Sequence, residues 1–232
     1  MKKEFIILGG IILVVVAAAF IGSGYYRTSV QEVRKPANSS GPAATSGQLL
    51  RPDTPILGPA DAKVTLVEFY DPECESCAAF SPVIKKLLKD YDGKVRYAAR
   101  YMPLHPNSLN AANLTEAAGE QGKFWQAREL LFQKQPEWGE KHGAPATAPK
   151  PDIDALFEKY AMELGLDIAK VKAAIKENRY ASKIELDKKD GQGLGVRKTP
   201  QFFVNGRMLV RFGEGMQSSY QDPLPSGRRQ TD

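Results

Sequence analysis

A chain of 232 residues holds two cysteines, and they stand in one Cys-x-x-Cys, at Cys74 and Cys77. This spacing limits what the chain can fold into more than any other feature. Two cysteines exclude a disulfide-stapled scaffold. Nor can they complete an all-cysteine zinc site, which needs four thiolates, within one chain. The core must therefore come from apolar packing. The hydrophobic share of 42% and charged share of 25% are those of a globular chain, and the length allows one domain or two small ones. The net charge of +5 is partly local: Lys2, Lys3 and Arg27 flank the first apolar run with Glu4. No dense basic stripe exists to support a nucleic-acid role.

That first run sets the expected compartment. From Phe5 to Tyr26 no residue is charged, and a helix of that length, at about 1.5 Å per residue, can cross a hydrocarbon core. Lys2 and Lys3 place the N-terminus in the cytoplasm, and Tyr25 and Tyr26 sit where interfacial aromatics belong. A cleaved signal peptide, with Ala17-Ala18-Ala19 as its site, is the competing reading. The apolar run continues past that site, which favours a retained anchor over residues 1–27. Both readings export the rest, so the expectation is a single-pass cell-membrane protein with its folded part on the periplasmic, extracytoplasmic side. Residues 28–55 carry Pro36, Ser39, Ser40, Gly41, Pro42, Pro52 and Pro55 without apolar periodicity, and read as a flexible linker.

The remainder alternates. Lys63–Tyr70 (KVTLVEFY) reads as a buried strand, and a helix is expected from about Glu75 to Tyr91, kinked at Pro82. Lys94–Tyr101 reads as a second strand. From Asn107 to about Asp190 the periodicity is helical, with helices over Ser108–Glu120 and Lys123–Gln135. A further helix carries Ile153, Leu156, Phe157, Tyr160, Ala161 and Leu164 on one face. Asp152 and Asp167 are expected N-caps and Gly165 a C-terminal glycine. Trp125 and Trp138 read as core, and Lys141–Lys150 as a loop. Gln201–Val204 and Met208–Phe212 flank Asn205-Gly206, a hairpin signal. The whole is an α/β sheet interrupted by helices.

A Cys-x-x-Cys at a helix start has a physical use. The first thiol meets unpaired N–H groups and the positive end of the helix dipole, which lower its pKa. The second lies one turn on and can resolve a mixed disulfide. Thr199-Pro200 precedes the strand 201–204, and that proline can be cis. Glu68 stands in the middle of an apolar strand. Buried there, it would have a raised pKa and could relay a proton to Cys77; on an edge strand it would merely face water.

Together these residues resemble a known family. LGPADAKVTLVEFYDPECESC, FSP, PLHPNSLNAANLTEAAGEQGKFWQARELLF and GVRKTPQFFVNGR are similar to the DsbA-like branch of the thioredoxin superfamily, from about Ile56 to Phe212. The resemblance implies a thioredoxin-like fold over 56–212 with an α-helical insertion at about 107–190. It implies Cys74 as the exposed nucleophile, Cys77 as the resolving thiol, Pro200 as a cis proline beside Thr199 and Glu68 as the buried acidic residue. The implied activity is thiol–disulfide exchange with exported proteins and a redox partner, with no cofactor. Two departures stand out. Glu75-Ser76 replaces the Pro-His of strongly oxidising members, and Asp71, Glu73 and Glu75 surround Cys74 with carboxylates, so a less acidic Cys74 is expected. The end, 213–232, holds Pro223, Pro225 and Gly227 where the family has a helix, and reads as an irregular tail. Two other functions stay open. One is copper binding and delivery, using the cysteine pair with His105 or His142. The other is a redox-inactive, membrane-tethered binding module.

Overall fold

The computed structural model describes residues 46–140 and 151–209. The expected membrane segment, most of the linker, the loop 141–150 and the tail 213–232 lie outside the described residues. Among the described residues no helix is long and apolar enough to cross a membrane.

A short helix α1 (Ser46–Leu49) and strand β1 (Ile56–Leu57) precede β2 (Val64–Tyr70), α2 (Glu75–Asp90) and β3 (Val95–Tyr101). Five helices follow: α3 (Ser108–Gly119), α4 (Phe124–Trp138), α5 (Ile153–Glu163), α6 (Ile168–Lys176) and α7 (Ala181–Gly193). The hairpin β4 (Gln201–Val204) and β5 (Arg207–Met208) closes the described chain. The strands form one sheet in the order β1-β3-β2-β4-β5. β2 and β3 pair in parallel, with Glu68 opposite Ala99, and β4 runs antiparallel to β2, with Glu68 opposite Phe202. β2 is therefore central, which rules out the edge-strand reading of Glu68.

Alternation along the central strands divides the core. Leu66 and Tyr70 of β2 join Tyr97, Ala99 and Tyr101 of β3 and both cysteines on one face. Val67 and Phe69 join Ala98, Met102, Phe203 and Leu49 on the other. The inserted helices have their own core around Leu114, Leu131, Trp138, Phe157 and Tyr160. Trp138 is fully buried, donates its Nε1–H to the Leu131 carbonyl and meets Phe157 edge-on. Trp125 packs on Tyr97. Trp138 is core and Trp125 packs half-buried against the core of the cysteine face, in line with the expected packing role.

Local signals held where local physics decides. Asp152 accepts the Ala155 N–H and Asp167 the Lys170 N–H. Asn205 and Gly206 turn the hairpin with φ of 46° and 84°. α2 runs through Pro82 without ending.

Three expectations need correction. The expected linker extends to residue 55, yet Leu49 and Thr54 are buried and Arg51 pairs with Asp190. Residues 46–55 belong to the folded body because their contacts are with distant elements, which periodicity does not register. The expected helical insertion extends to about 190, yet α7 starts at Ala181 and returns to the sheet. Asp187 of α7 binds Arg100 and the Tyr101 N–H of β3, and Gly191 lies so close to Phe69 that an added Cβ would sit 2.9 Å from its ring. Strand β5 spans two residues where Met208–Phe212 was expected; 210–212 lie outside the described residues.

Candidate functional site: a cysteine pair at a helix N-terminus

β2 delivers the chain to the site and α2 carries it away. Cys74 is the N-cap residue of α2, with extended backbone, and its carbonyl accepts the first helical bond from Ala78. Cys77 follows one turn later. Both are free thiols. Cys74 is 8% exposed and Cys77 fully buried, so the first cysteine is the more accessible but is less open than an exposed nucleophile. The reason is Thr199, whose carbonyl accepts a hydrogen bond from Cys74 Sγ at 3.4 Å. The Thr199-Pro200 peptide is cis, and both residues are half-buried.

The two thiols are pushed apart in acidity. Cys74 is lowered to about 6, first by the Cys77 thiol donating to its sulfur, against burial, then by the Thr199 side chain and the backbone N–H groups of Cys77 and Ser76. Those N–H groups are the unpaired donors of the helix start. Cys77 is raised well above the ordinary thiol value, first by burial, then by its bond to Cys74 and by the charge of Glu68. A thiol near 6 is mostly thiolate at neutral pH, though less acidic than the pKa of about 3.5 of a strongly oxidising donor.

The carboxylates thought to crowd Cys74 do something else. Asp71 is fully buried and accepts from the N–H groups of Glu73, Leu104 and His105 and from the Ser108 hydroxyl. Glu73 accepts from the Asn107 N–H at 2.6 Å, from Asn107 Nδ2 at 2.7 Å and from the Glu140 N–H at 2.8 Å. Both stitch the cysteine turn to the segment after β3. Only Glu75 is exposed.

Glu68 lies under the pair, buried completely. Its Oε2 accepts from Arg128 Nη2 at 2.7 Å and from the Tyr97 hydroxyl, while Oε1 has no hydrogen-bond partner. Burial raises its pKa, with Arg128 and Tyr97 pulling the other way. Arg128 is caged by Tyr70 at 4.5 Å, Phe132 at 4.8 Å and Tyr97 at 5.6 Å from its Cζ. Its role was missed in the sequence, where it reads as one more helical arginine. The available signal was its place on an apolar face, four residues from both Phe124 and Phe132.

The structure thus brings Cys74, Cys77, Glu68 and Thr199-Pro200 together. It adds Arg128, and also His105, which the charge of Cys74 helps to keep protonated. His142 lies outside the described residues. Among the described residues no group of three or more His, Cys, Asp or Glu is placed to hold a metal ion.

Comparison with known proteins agrees with this geometry. BdbD of Bacillus subtilis, in its oxidised form, is 28% identical, with a TM-score of 0.62 over 77% of this chain and 96% of that one. A variant of alpha-DsbA1 from Wolbachia pipientis is 27% identical, with a TM-score of 0.59 over 69% of this chain and 79% of that one. A Na(+)/H(+) antiporter, NhaA 3 of Salinispora tropica, is 39% identical over 155 residues, which make up 66% of this chain and 22% of the antiporter. The chain therefore spans about a fifth of the length of such curated relatives. The thioredoxin family model matches residues 51–218, a stretch that contains the sheet, both cysteines and the Thr199-Pro200 turn. On that match the chain belongs to the thioredoxin family, and its likeness to BdbD and alpha-DsbA1 is to the DsbA-like branch.

Proposed function

We propose that the protein is an exported thiol–disulfide oxidoreductase that exchanges disulfides with protein substrates through Cys74-Glu-Ser-Cys77. The observation carrying this reading is the split acidity of one pair: a thiol near 6 at the helix start beside one held far higher. The Cys74 thiolate attacks a substrate disulfide. A mixed Cys74–substrate disulfide forms and one substrate thiolate leaves. Cys77 then gives its proton to Glu68 and attacks Cys74 Sγ. The Cys74–Cys77 disulfide forms, the second substrate thiolate leaves, and two electrons have passed to the substrate. Run backwards, the same steps donate a disulfide, and the redox partner's potential sets the direction. Thr199-Pro200 presents backbone to the substrate chain. Electrons travel through the cysteines, so the exchange itself calls for no bound cofactor.

Cys74→Ser is expected to reduce insulin-disulfide reduction, and refolding of a reduced disulfide protein, to the uncatalysed rate. Equal activity of the two proteins would replace this reading with the binding module.

Residues 5–26 we infer to be a retained membrane anchor, from their uncharged length and the lysines before them. The full chain is then expected to stay with the membranes through an alkaline carbonate wash. Its release into the supernatant would instead favour cleavage.

A further inference from the structure

His105 follows β3 and stands outside the cysteine motif, yet one carboxylate fastens it to the motif. The Asp71 main-chain oxygen accepts the Cys74 N–H at 3.1 Å, and Asp71 Oδ1 accepts the Glu73 N–H at 2.8 Å. The other oxygen, Oδ2, accepts the N–H groups of Leu104 at 2.6 Å and His105 at 3.2 Å, and lies 2.7 Å from His105 Nδ1. Asp71 is fully buried while the His105 ring is 27% exposed. The ring therefore has a fixed position, set from the same residue that closes the Cys74 turn, and keeps access to solvent protons. A carboxylate on Nδ1 fixes the tautomer and leaves Nε2 as the nitrogen that gains or loses the proton.

We propose that His105 is a positioning residue for exchange: clamped by Asp71, its imidazolium stabilises the Cys74 thiolate and so favours the reduced pair over the disulfide. This rests on the exchange reading above. Among the described residues the leading ionisable groups acting on His105 are Asp71, Cys74 and Glu73, and all three favour its charged form. Burial opposes them, and the ring still titrates above its ordinary value of 6.5. Asp71 and Glu73 are engaged by the donors already named. Cys74 is the one of the three whose charge changes in the redox cycle. When the disulfide forms that negative charge vanishes and the imidazolium loses a partner. Coupling is reciprocal: whatever His105 does to the Cys74 thiolate, the thiolate does to His105.

The test uses the full chain in detergent, as wild type and His105→Gln. Cys74 is titrated by its alkylation rate against pH, and the dithiol–disulfide equilibrium is measured against glutathione. The wild-type midpoint for Cys74 is expected near 6. In the variant the thiolate population at pH 6 should fall about threefold or more. The equilibrium should shift toward the disulfide by about threefold to tenfold, which is about 15–30 mV. Wild type alone supplies a second measurement that needs no variant. The chain has two histidines, and the NMR titration of the His105 ring proton should have a lower midpoint in the disulfide form than in the dithiol form. A merely structural bond between His105 and Asp71 moves none of these. An unchanged Cys74 midpoint in His105→Gln, or a ring midpoint equal in both redox states, would overturn the proposal. Failure of the exchange reading is distinct: it appears as wild-type activity no greater than that of Cys74→Ser, whatever the titrations give.

Discussion

Arg128→Met is expected to remove about 3–5 kcal/mol of stability at pH 8, the usual loss when one partner of a buried ion pair is deleted. Arg128 is 7% exposed and Glu68 1%, so solvent replaces little of the lost charge. Tyr97 remains as the donor to Glu68. The loss should depend on pH, with a sign that follows from Glu68. Burial already raises the Glu68 carboxyl above its ordinary 4.5, and Arg128 is the leading group holding it down. Without Arg128 it rises further. A carboxyl with a raised folded pKa binds its proton more tightly in the native state. That contribution is fully present below the unfolded value and is lost as pH rises through the folded one. The variant should therefore regain part of its stability between pH 8 and pH 5.5. Urea denaturation at the two pH values measures both effects. A loss below about 1 kcal/mol at pH 8 would show that the guanidinium is not the counter-charge of Glu68. Adding Glu68→Gln should recover part of the loss by removing the stranded charge.

Arg100→Met is expected to cost about as much, again about 3–5 kcal/mol, on the opposite face of the sheet. Arg100 is fully buried. Its Nε binds Asp187 at 2.6 Å and its Nη2 binds Asp190 at 2.7 Å. Its Nη1 serves the carbonyls of Gln48 and Leu49 at 3.0 and 2.9 Å. Asp190 keeps Arg51 in the variant. Asp187 keeps the Tyr101 N–H, which does not neutralise it. Burial raises its pKa, and Arg100 is the first group opposing that. The two carbonyls also lose their donor, so the segment 46–51 should loosen before the rest. Guanidinium denaturation gives the global loss. Limited proteolysis should cut the variant near residues 46–51 earlier than wild type. The same denaturation midpoint and the same cutting order in both proteins would sink this account.

These two arginines also mark where sequence reading stops. The strand holding Arg100 and the helix holding Arg128 were both legible, the first by β-branched and aromatic content and the second by period. Their partners were not, because Asp187 and Glu68 lie 87 and 60 residues away. Asp71 and Glu73 were visible as negative charges near Cys74. Only the fold shows them bonded to the segment after β3. His105 looked unconnected to the cysteines for the same reason. Residues 46–55 read as linker because proline-rich composition describes an isolated chain. Their order comes from Arg51, Leu49 and the carbonyls bound by Arg100.

The sequence by itself determined everything that depends on near neighbours. It located the central strand, the helix opening at the cysteine pair, the caps at Asp152 and Asp167 and the Asn205-Gly206 turn, because capping, periodicity and turn chemistry act within a few residues. It also named Cys74, Cys77, Glu68 and Thr199-Pro200 as one site, through spacing and family resemblance. What only the tertiary structure decided is how each of these groups is charged. A pKa depends on burial and on whichever dipoles and charges the fold brings within a few ångströms. Here those are the Thr199 side chain on Cys74, Arg128 and Tyr97 on Glu68, and Asp71 on His105, each from a separate part of the chain.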